Sequence, residues 1–329
     1  MTRGLYLGKF MPIHHGHLWV IDTAAQLVDE LTVLVCAVSQ EPIDGRLRSH
    51  WVRSSVSENI QVRELFDDSL PQQPEDDPDF WPKWRDALSP FGPFDYVFGG
   101  EDYVVQLAYE IGAVAVPLGR SSVNISATMI RNAPYEHWRY IPTAVRAHFQ
   151  RRVTFLGPES TGKSTLSARL AQRLDPSGQL SNLMTEYGRI YDASLKQGQN
   201  WTRQDFRSLT HTHIAMRNAL AKHAGPYLIE DTDMIQTMAW QRLLMGELDN
   251  QDYPLQDFAD LYLLLSPDVP WIDDGTRYGE SFRVDIFEFL KTQLEGLGLR
   301  FVVIDGNDWN RREQLVNDAV DKLLNLSSG

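Results

Sequence analysis

The sequence has a single cysteine, Cys36, in 329 residues, so no disulfide can form within the chain and a disulfide-stapled secreted fold is excluded. Cys36 sits in the apolar run 31–38 and reads as a buried core thiol. No apolar run reaches the length of a membrane span, and no membrane association is expected. Positive charge is also scarce: 31 Lys and Arg stand against 44 Asp and Glu, a formal net charge of −13. A broad surface for nucleic acid is therefore not expected, because neutralising a phosphate backbone needs clustered Lys and Arg. A nucleotide is a smaller demand, met by a few cations and backbone N–H groups. The first ten residues lead straight into a strand, so no signal peptide is expected. With the lone thiol, this suggests a cytoplasmic protein. A monomer and a homo-oligomer both remain open.

What is present is alternation. Short apolar runs at 3–7, 31–38, 61–65, 95–98 and 113–118 read as strands, separated by amphipathic helical stretches. The rhythm restarts with strands at 153–156, 183–186, 227–231, 261–265 and 300–304. Strands alternating with helices imply parallel sheets covered on both faces. The expected fold class is therefore α/β, with two doubly wound parallel-sheet domains over 1–150 and 151–329. Gln150, Arg151 and Arg152 read as the linker, and 134–149 as a helix. The acidic, proline-rich segment 67–79 reads as a surface loop without function.

Two motifs carry chemistry. Gly157-Pro158-Glu159-Ser160-Thr161-Gly162-Lys163-Ser164-Thr165 satisfies the P-loop pattern, with a strand before it and a helix after. Its glycines let backbone N–H groups wrap phosphates, Lys163 reaches the β- and γ-phosphates of ATP, and Ser164 ligates Mg²⁺. Asp231 and Asp233 end a later strand, where a carboxylate can hold Mg²⁺ or take a proton from a hydroxyl nucleophile. Both qualify, although one can instead cap the following helix. Glu186, Tyr187 and Arg189 follow the second strand of this half, where Glu186 can bind substrate hydroxyls and Tyr187 can pack on a ring. Residues 268–277 can form a lid, with Arg277 or Arg283 stabilising transferred charge.

The second motif is Gly8-Lys9-Phe10-Met11-Pro12-Ile13-His14-His15-Gly16-His17, at the first strand-to-helix turn. His14 and His17 can donate hydrogen bonds to an α-phosphate during adenylyl transfer, and Gly16 permits close backbone approach. Further on, Ser126 and Thr128 can cap a helix and bind phosphate, while Arg131 can hold the β- and γ-phosphates.

Taken together, these residues resemble the NadR type of bifunctional nicotinamide-nucleotide adenylyltransferase and ribosylnicotinamide kinase, over nearly the whole chain. Residues 8–17 are similar to the family's H-x-G-H signature, 125–131 to its I-S-x-T-x-x-R signature, and 157–165 to its P-loop. Asp231-Thr232-Asp233 and 268–277 are similar to its later kinase motifs. The resemblance implies a Rossmann-like nucleotidyltransferase followed by a P-loop kinase. The kinase would phosphorylate nicotinamide riboside with ATP and Mg²⁺, and the first half would join the mononucleotide to AMP from a second ATP, giving NAD and pyrophosphate. Its partners would thus be small molecules: ATP, the riboside, the mononucleotide and NAD. Motif position carries Gly8, Lys9, Phe10, His14, Gly16, His17, Ser126, Thr128 and Arg131 to the adenylyltransferase. It carries 157–165, Glu186, Asp231, Asp233 and Arg277 to the kinase. Trp240, Trp271 and Tyr187 are candidates for stacking on the cationic nicotinamide ring. Some members carry an N-terminal helix-turn-helix repressor domain. With the catalytic strand at residue 3 and an acidic balance, neither that domain nor a repressor role is expected. The competing readings are the same two folds acting on another nucleoside, or a sensor that binds nucleotide without turnover. A fused riboflavin kinase and FAD synthetase is disfavoured by the P-loop.

Overall fold

The computed structural model describes residues 1–100, 102–119, 123–178, 182–272 and 279–325. Its contacts divide the chain into two compact units, Met1–His148 and Phe149–Gly329.

The first unit runs β1 (Arg3–Gly8), α1 (His15–Ala25), β2 (Glu30–Ala37), α2 (Gly45–Arg53), β3 (Gln61–Phe66), α3 (Phe80–Leu88), β4 (Tyr96–Gly99), α4 (Tyr103–Ile111), β5 (Val114–Pro117), α5 (Ala127–Asn132) and α6 (Thr143–Phe149). The sheet is parallel with order β3-β2-β1-β4-β5. The chain leaves β1 first toward β2 and later returns to its other side as β4. That reversal opens a crevice at the carboxyl end of β1, where ligands of such sheets bind. β2 is buried from Leu31 to Ala37, as its continuous apolar run requires. Burial pushes the Cys36 thiol up to about 12, so it is a core group with no thiolate at neutral pH.

The second unit runs β6 (Arg151–Leu156), α7 (Lys163–Leu174), β7 (Leu183–Met184), α8 (Tyr187–Tyr191), α9 (Arg203–Ala221), β8 (Tyr227–Asp231), α10 (Met234–Met245), β9 (Leu261–Leu265), α11 (Arg283–Gly296), β10 (Phe301–Ile304) and α12 (Trp309–Asn325). Its sheet is again parallel, ordered β10-β9-β6-β8-β7, with β6 central. One face carries Phe155, Leu166, Leu170 and Val320, the other Leu156, Ile235, Met238 and Leu290.

Two sequence expectations are corrected. Gln150–Arg152 is not a linker. Gln150 is buried and donates to the Ala221 and Gly225 carbonyls, and Arg151 and Arg152 are the first rungs of β6 against β8. Arg152 then pairs with Glu230 and Asp257, which polarity alone does not distinguish from a solvated connector. Nor is 134–149 one helix. A short 3₁₀ turn over Trp138–Tyr140 precedes α6, and Pro142, which has no N–H to donate, stands between them. Among the described residues, no helix is long and apolar enough to cross a membrane.

Candidate active sites

In the first unit the β1–α1 turn builds a paired-imidazole site. His14 is the N-cap of α1 and is fully buried. Its Nδ1 accepts from the Gly16 N–H at 3.1 Å, so the neutral ring carries its proton on Nε2, the tautomer that can donate. The His17 ring stacks on it with centroids 3.7 Å apart, and Phe10 meets His17 edge-on at 5.0 Å. Gly16 sits close to its neighbours: a Cβ there would lie 3.0 Å from the His14 ring and 3.2 Å from Ile125, so the ring would have to shift.

A cavity of about 650 Å³ opens beside this turn. Gly8, Lys9, Phe10, His17, Ser126, Thr128 and Arg131 line it, while His14 and Gly16 stand behind His17. Ser126 caps α5 by accepting from Met129 N, and Thr128 and Arg131 follow one turn apart on that helix. Arg131 donates to the Met11 carbonyl at 2.6 Å and to Thr128 Oγ1 at 3.2 Å, tying the α5 signature to the histidine turn. Lys9 is held by Glu41 at 2.9 Å. Burial alone would raise the Glu41 carboxyl, but Lys9 and the buried Arg48 outweigh it and hold it below the ordinary range. The loop read as functionally bland is part of this wall: Asp67, Gln72 and Pro74 line the cavity, followed by Phe80, Trp81 and Trp84. Composition correctly marks a loop, but only tertiary packing brings it over the crevice.

In the second unit β6 ends in the P-loop. Gly162 has φ +91° and a Cβ on it would fall 2.4 Å from the Trp309 ring, so only glycine fits. Lys163 is buried and donates to the Gly157 and Pro158 carbonyls at 2.8 and 3.0 Å; burial holds its pKa below the ordinary lysine value. Thr161 closes the loop on Pro158 O, and Ser160 Oγ accepts from Ile272 N. Ser164 and Thr165 lie in the first turn of α7.

The two aspartates separate. Asp231, at the end of β8, has its carboxyl raised by burial and then by the charge of Glu186, against the opposing pull of Lys163 and a hydrogen bond from Ser164. Among the described residues its Oδ1 has no partner. Thr232, with φ +80°, turns the chain so that Asp233 becomes the N-cap of α10. Both Asp233 oxygens are engaged, Oδ1 by Ile235 N at 2.8 Å and Oδ2 by Tyr262 OH at 2.9 Å. Burial, and then the nearby Glu230 charge, raises Asp233 to about 6.

Folding favours the neutral Asp233, so its contribution falls as pH rises from its ordinary value near 3.8 to about 6. Asp233→Asn keeps an acceptor for Ile235 N and removes the titration. Thermal unfolding from pH 4 to 7 should show the variant gaining on the wild type across that window, by up to about 3 kcal/mol. A difference independent of pH would contradict the assignment.

A cavity of about 340 Å³ adjoins the P-loop. It brings together Glu159, Lys163, Glu186, Arg189 and Trp240 of the expected residues. Arg189 is paired with Glu186. Tyr187 and Trp271 are not on this wall; Tyr187 packs edge-on against Tyr191. The aromatic that sequence reasoning missed is Trp201, on the cavity wall and stacked between Tyr191 and Phe206. His213 and Gln236 also line it, with His213 held 3.3 Å from Glu230. No local pattern marks these residues, because each is brought in by the packing of α9 or α10. Arg283 is buried and donates to Val269 O. Arg277 lies outside the described residues.

Comparison with known proteins follows the same division. Residues 5–133 match the cytidylyltransferase-like family model, and residues 152–312 match that of an AAA domain. The chain is 29% identical to the trifunctional NAD biosynthesis/regulator protein NadR of Escherichia coli, over 94% of this chain and 80% of that protein. It is 32% identical to a nicotinamide-nucleotide adenylyltransferase of Saccharolobus solfataricus, over 40% of this chain and 78% of that protein. A crystal structure of a NadR protein in complex with NR superposes with a TM-score of 0.77 at 26% identity, covering 98% of this chain and 95% of that one.

Proposed function

We propose, from the premise that this chain belongs to the nicotinamide-nucleotide adenylyltransferase family in its two-domain NadR form, that it carries out two consecutive steps of NAD synthesis. The kinase, which we place in 151–329, converts nicotinamide riboside to the mononucleotide with ATP. The adenylyltransferase, which we place in 1–150, joins the mononucleotide to AMP from a second ATP and releases pyrophosphate. The observation that carries the kinase reading is Asp231, buried and with an open carboxylate oxygen, beside Lys163 and Ser164 at the P-loop. ATP-dependent chemistry and a buried thiol suit a cytoplasmic enzyme.

In the kinase, the riboside 5′-hydroxyl attacks the γ-phosphorus, its proton passes to Asp231, and ADP leaves. The raised Asp231 pKa makes it a better proton acceptor than an exposed carboxylate. Lys163 exchanges its two backbone carbonyls for phosphate oxygens. The Ser164 hydroxyl and the Asp231 carboxylate oxygen bonded to it are hard oxygen donors that would hold Mg²⁺, leaving Asp231 Oδ1 open. Bound there, Mg²⁺ would neutralise charge on the transferred phosphate. Glu186 and Arg189 meet the ribose end, Trp240 the ring, and Arg277 the transferred charge. Asp233 supports α10 and takes no proton from substrate.

In the adenylyltransferase, a phosphate oxygen of the mononucleotide attacks the α-phosphorus. His17 donates to the α-phosphate from the cavity wall, with His14 stacked behind it as a fixed Nε2 donor. Lys9, Thr128 and Arg131 take the β- and γ-phosphates that leave as pyrophosphate, and Ser126 holds the turn that presents them. Gly16→Ala pushes on the His14 ring. NAD formation from the mononucleotide should drop by at least about tenfold while riboside phosphorylation is unchanged, because sub-ångström misplacement is costly at a charge-stabilising site. Steady-state kinetics of the two half-reactions checks this, and full adenylylation by the variant would refute the role given to Gly16.

A further inference from the structure

Gln236 is 2% exposed and lines the kinase cavity from the first turn of α10. Its Oε1 accepts from the Gly157 N–H at 3.0 Å. A backbone N–H can only donate, so this bond fixes the orientation of the amide and leaves Nε2 as the donating end. Among the described residues Nε2 has no partner. A buried amide donor left unpaired costs stability, and such a group in a native protein calls for a ligand. At the end of the strand that leads into α10, Asp231 Oδ1 is an acceptor that also has no partner among the described residues. A hydroxyl accepts one hydrogen bond while it donates another, so an alcohol oxygen in this cavity would fill the Gln236 donor.

We propose that Gln236 reads the acceptor hydroxyl of the kinase reaction, its Nε2 donating to the riboside 5′-oxygen. The bond to Gly157 ties the amide to the start of the P-loop, so the nucleophile is registered against the same backbone that cradles the phosphates. The inference rests on the kinase reading above and adds to it a residue that reads the attacking hydroxyl.

Two variants separate the amide's two ends. Gln236→Glu keeps an oxygen for Gly157 N and loses the donor; Gln236→Leu loses both. Full-length proteins are assayed for riboside phosphorylation and for NAD formation from the mononucleotide, with 5′-deoxy-nicotinamide riboside as a competitive inhibitor. Both variants should lose at least about 30-fold in kcat/KM for the riboside, as sites built to bond a hydroxyl do when the bond is removed. The KM for ATP should stay within about threefold, and the Ki of the 5′-deoxy analogue within about twofold, because that ligand has no oxygen to address. NAD formation from the mononucleotide serves as the folding control and should be unchanged. Riboside kinetics near wild type in Gln236→Glu would overturn the proposal, as would a loss confined to the KM for ATP or an equal loss in binding the 5′-deoxy analogue. A wild-type protein that phosphorylates no riboside would overturn the kinase reading itself, and this proposal with it.

Discussion

Lys163→Ala should abolish riboside phosphorylation, lowering kcat by about a thousandfold or more, and leave NAD formation from the mononucleotide within about twofold of wild type. The side chain is buried at the P-loop, where its ammonium is held by two loop carbonyls, Gly157 and Pro158, until phosphate oxygens replace them. No water-filled space substitutes for a preorganised cation in such a site. Asp231 suffers too: Lys163 is a charge that pulls its carboxyl down, and without it burial and Glu186 act with less opposition. The other reaction is spared because the imidazole pair stands on β1 and α1, in a unit with its own sheet and core. Separate assays of the two half-reactions on folded protein decide the matter. Loss of both would break the assignment of one reaction to each unit.

The reverse pattern is expected of His17→Ala: adenylylation should drop by about a hundredfold to a thousandfold, with riboside phosphorylation intact. The ring does two things at once. It lines the cavity where the proposed mechanism needs a donor, and it stacks on the buried His14 and packs against Phe10. Removing it takes away one donor and loosens the ring that holds the other, so kcat should suffer more than KM for the mononucleotide. A variant that still forms NAD at the wild-type rate would remove His17 from the mechanism.

The motifs were legible in the sequence because each is a local backbone device. Gly157 to Ser164 must wrap phosphates whatever surrounds them, and Gly16 between two histidines already announces a close approach. Parallel sheets were legible from runs such as 31–38 and 261–265, which have no polar face to offer solvent. Asp231 and Asp233 could not be told apart, because their difference lies in one left-handed residue, Thr232, which turns one carboxyl to the P-loop and the other to the helix end. Trp201, His213 and Gln236 were invisible for a different reason. They come from helices and loops distant in sequence from the P-loop and acquire meaning only when those pack around it. The same holds for the 67–80 segment, whose acids and prolines describe a loop but not what the loop covers.

The proposed order is two reactions in sequence on one chain, each using a different phosphorus of ATP. It is tested most directly by supplying wild-type protein with nicotinamide riboside, Mg²⁺ and ATP labelled in the γ-phosphate or, in a parallel reaction, in the α-phosphate. Products are then separated by chromatography. γ-Label should appear first in the mononucleotide and then in the nicotinamide-side phosphate of NAD, while α-label should enter NAD only in its adenylate half and otherwise remain in ADP. Formation of neither labelled mononucleotide nor labelled NAD, or γ-label absent from the NAD that forms, would contradict it.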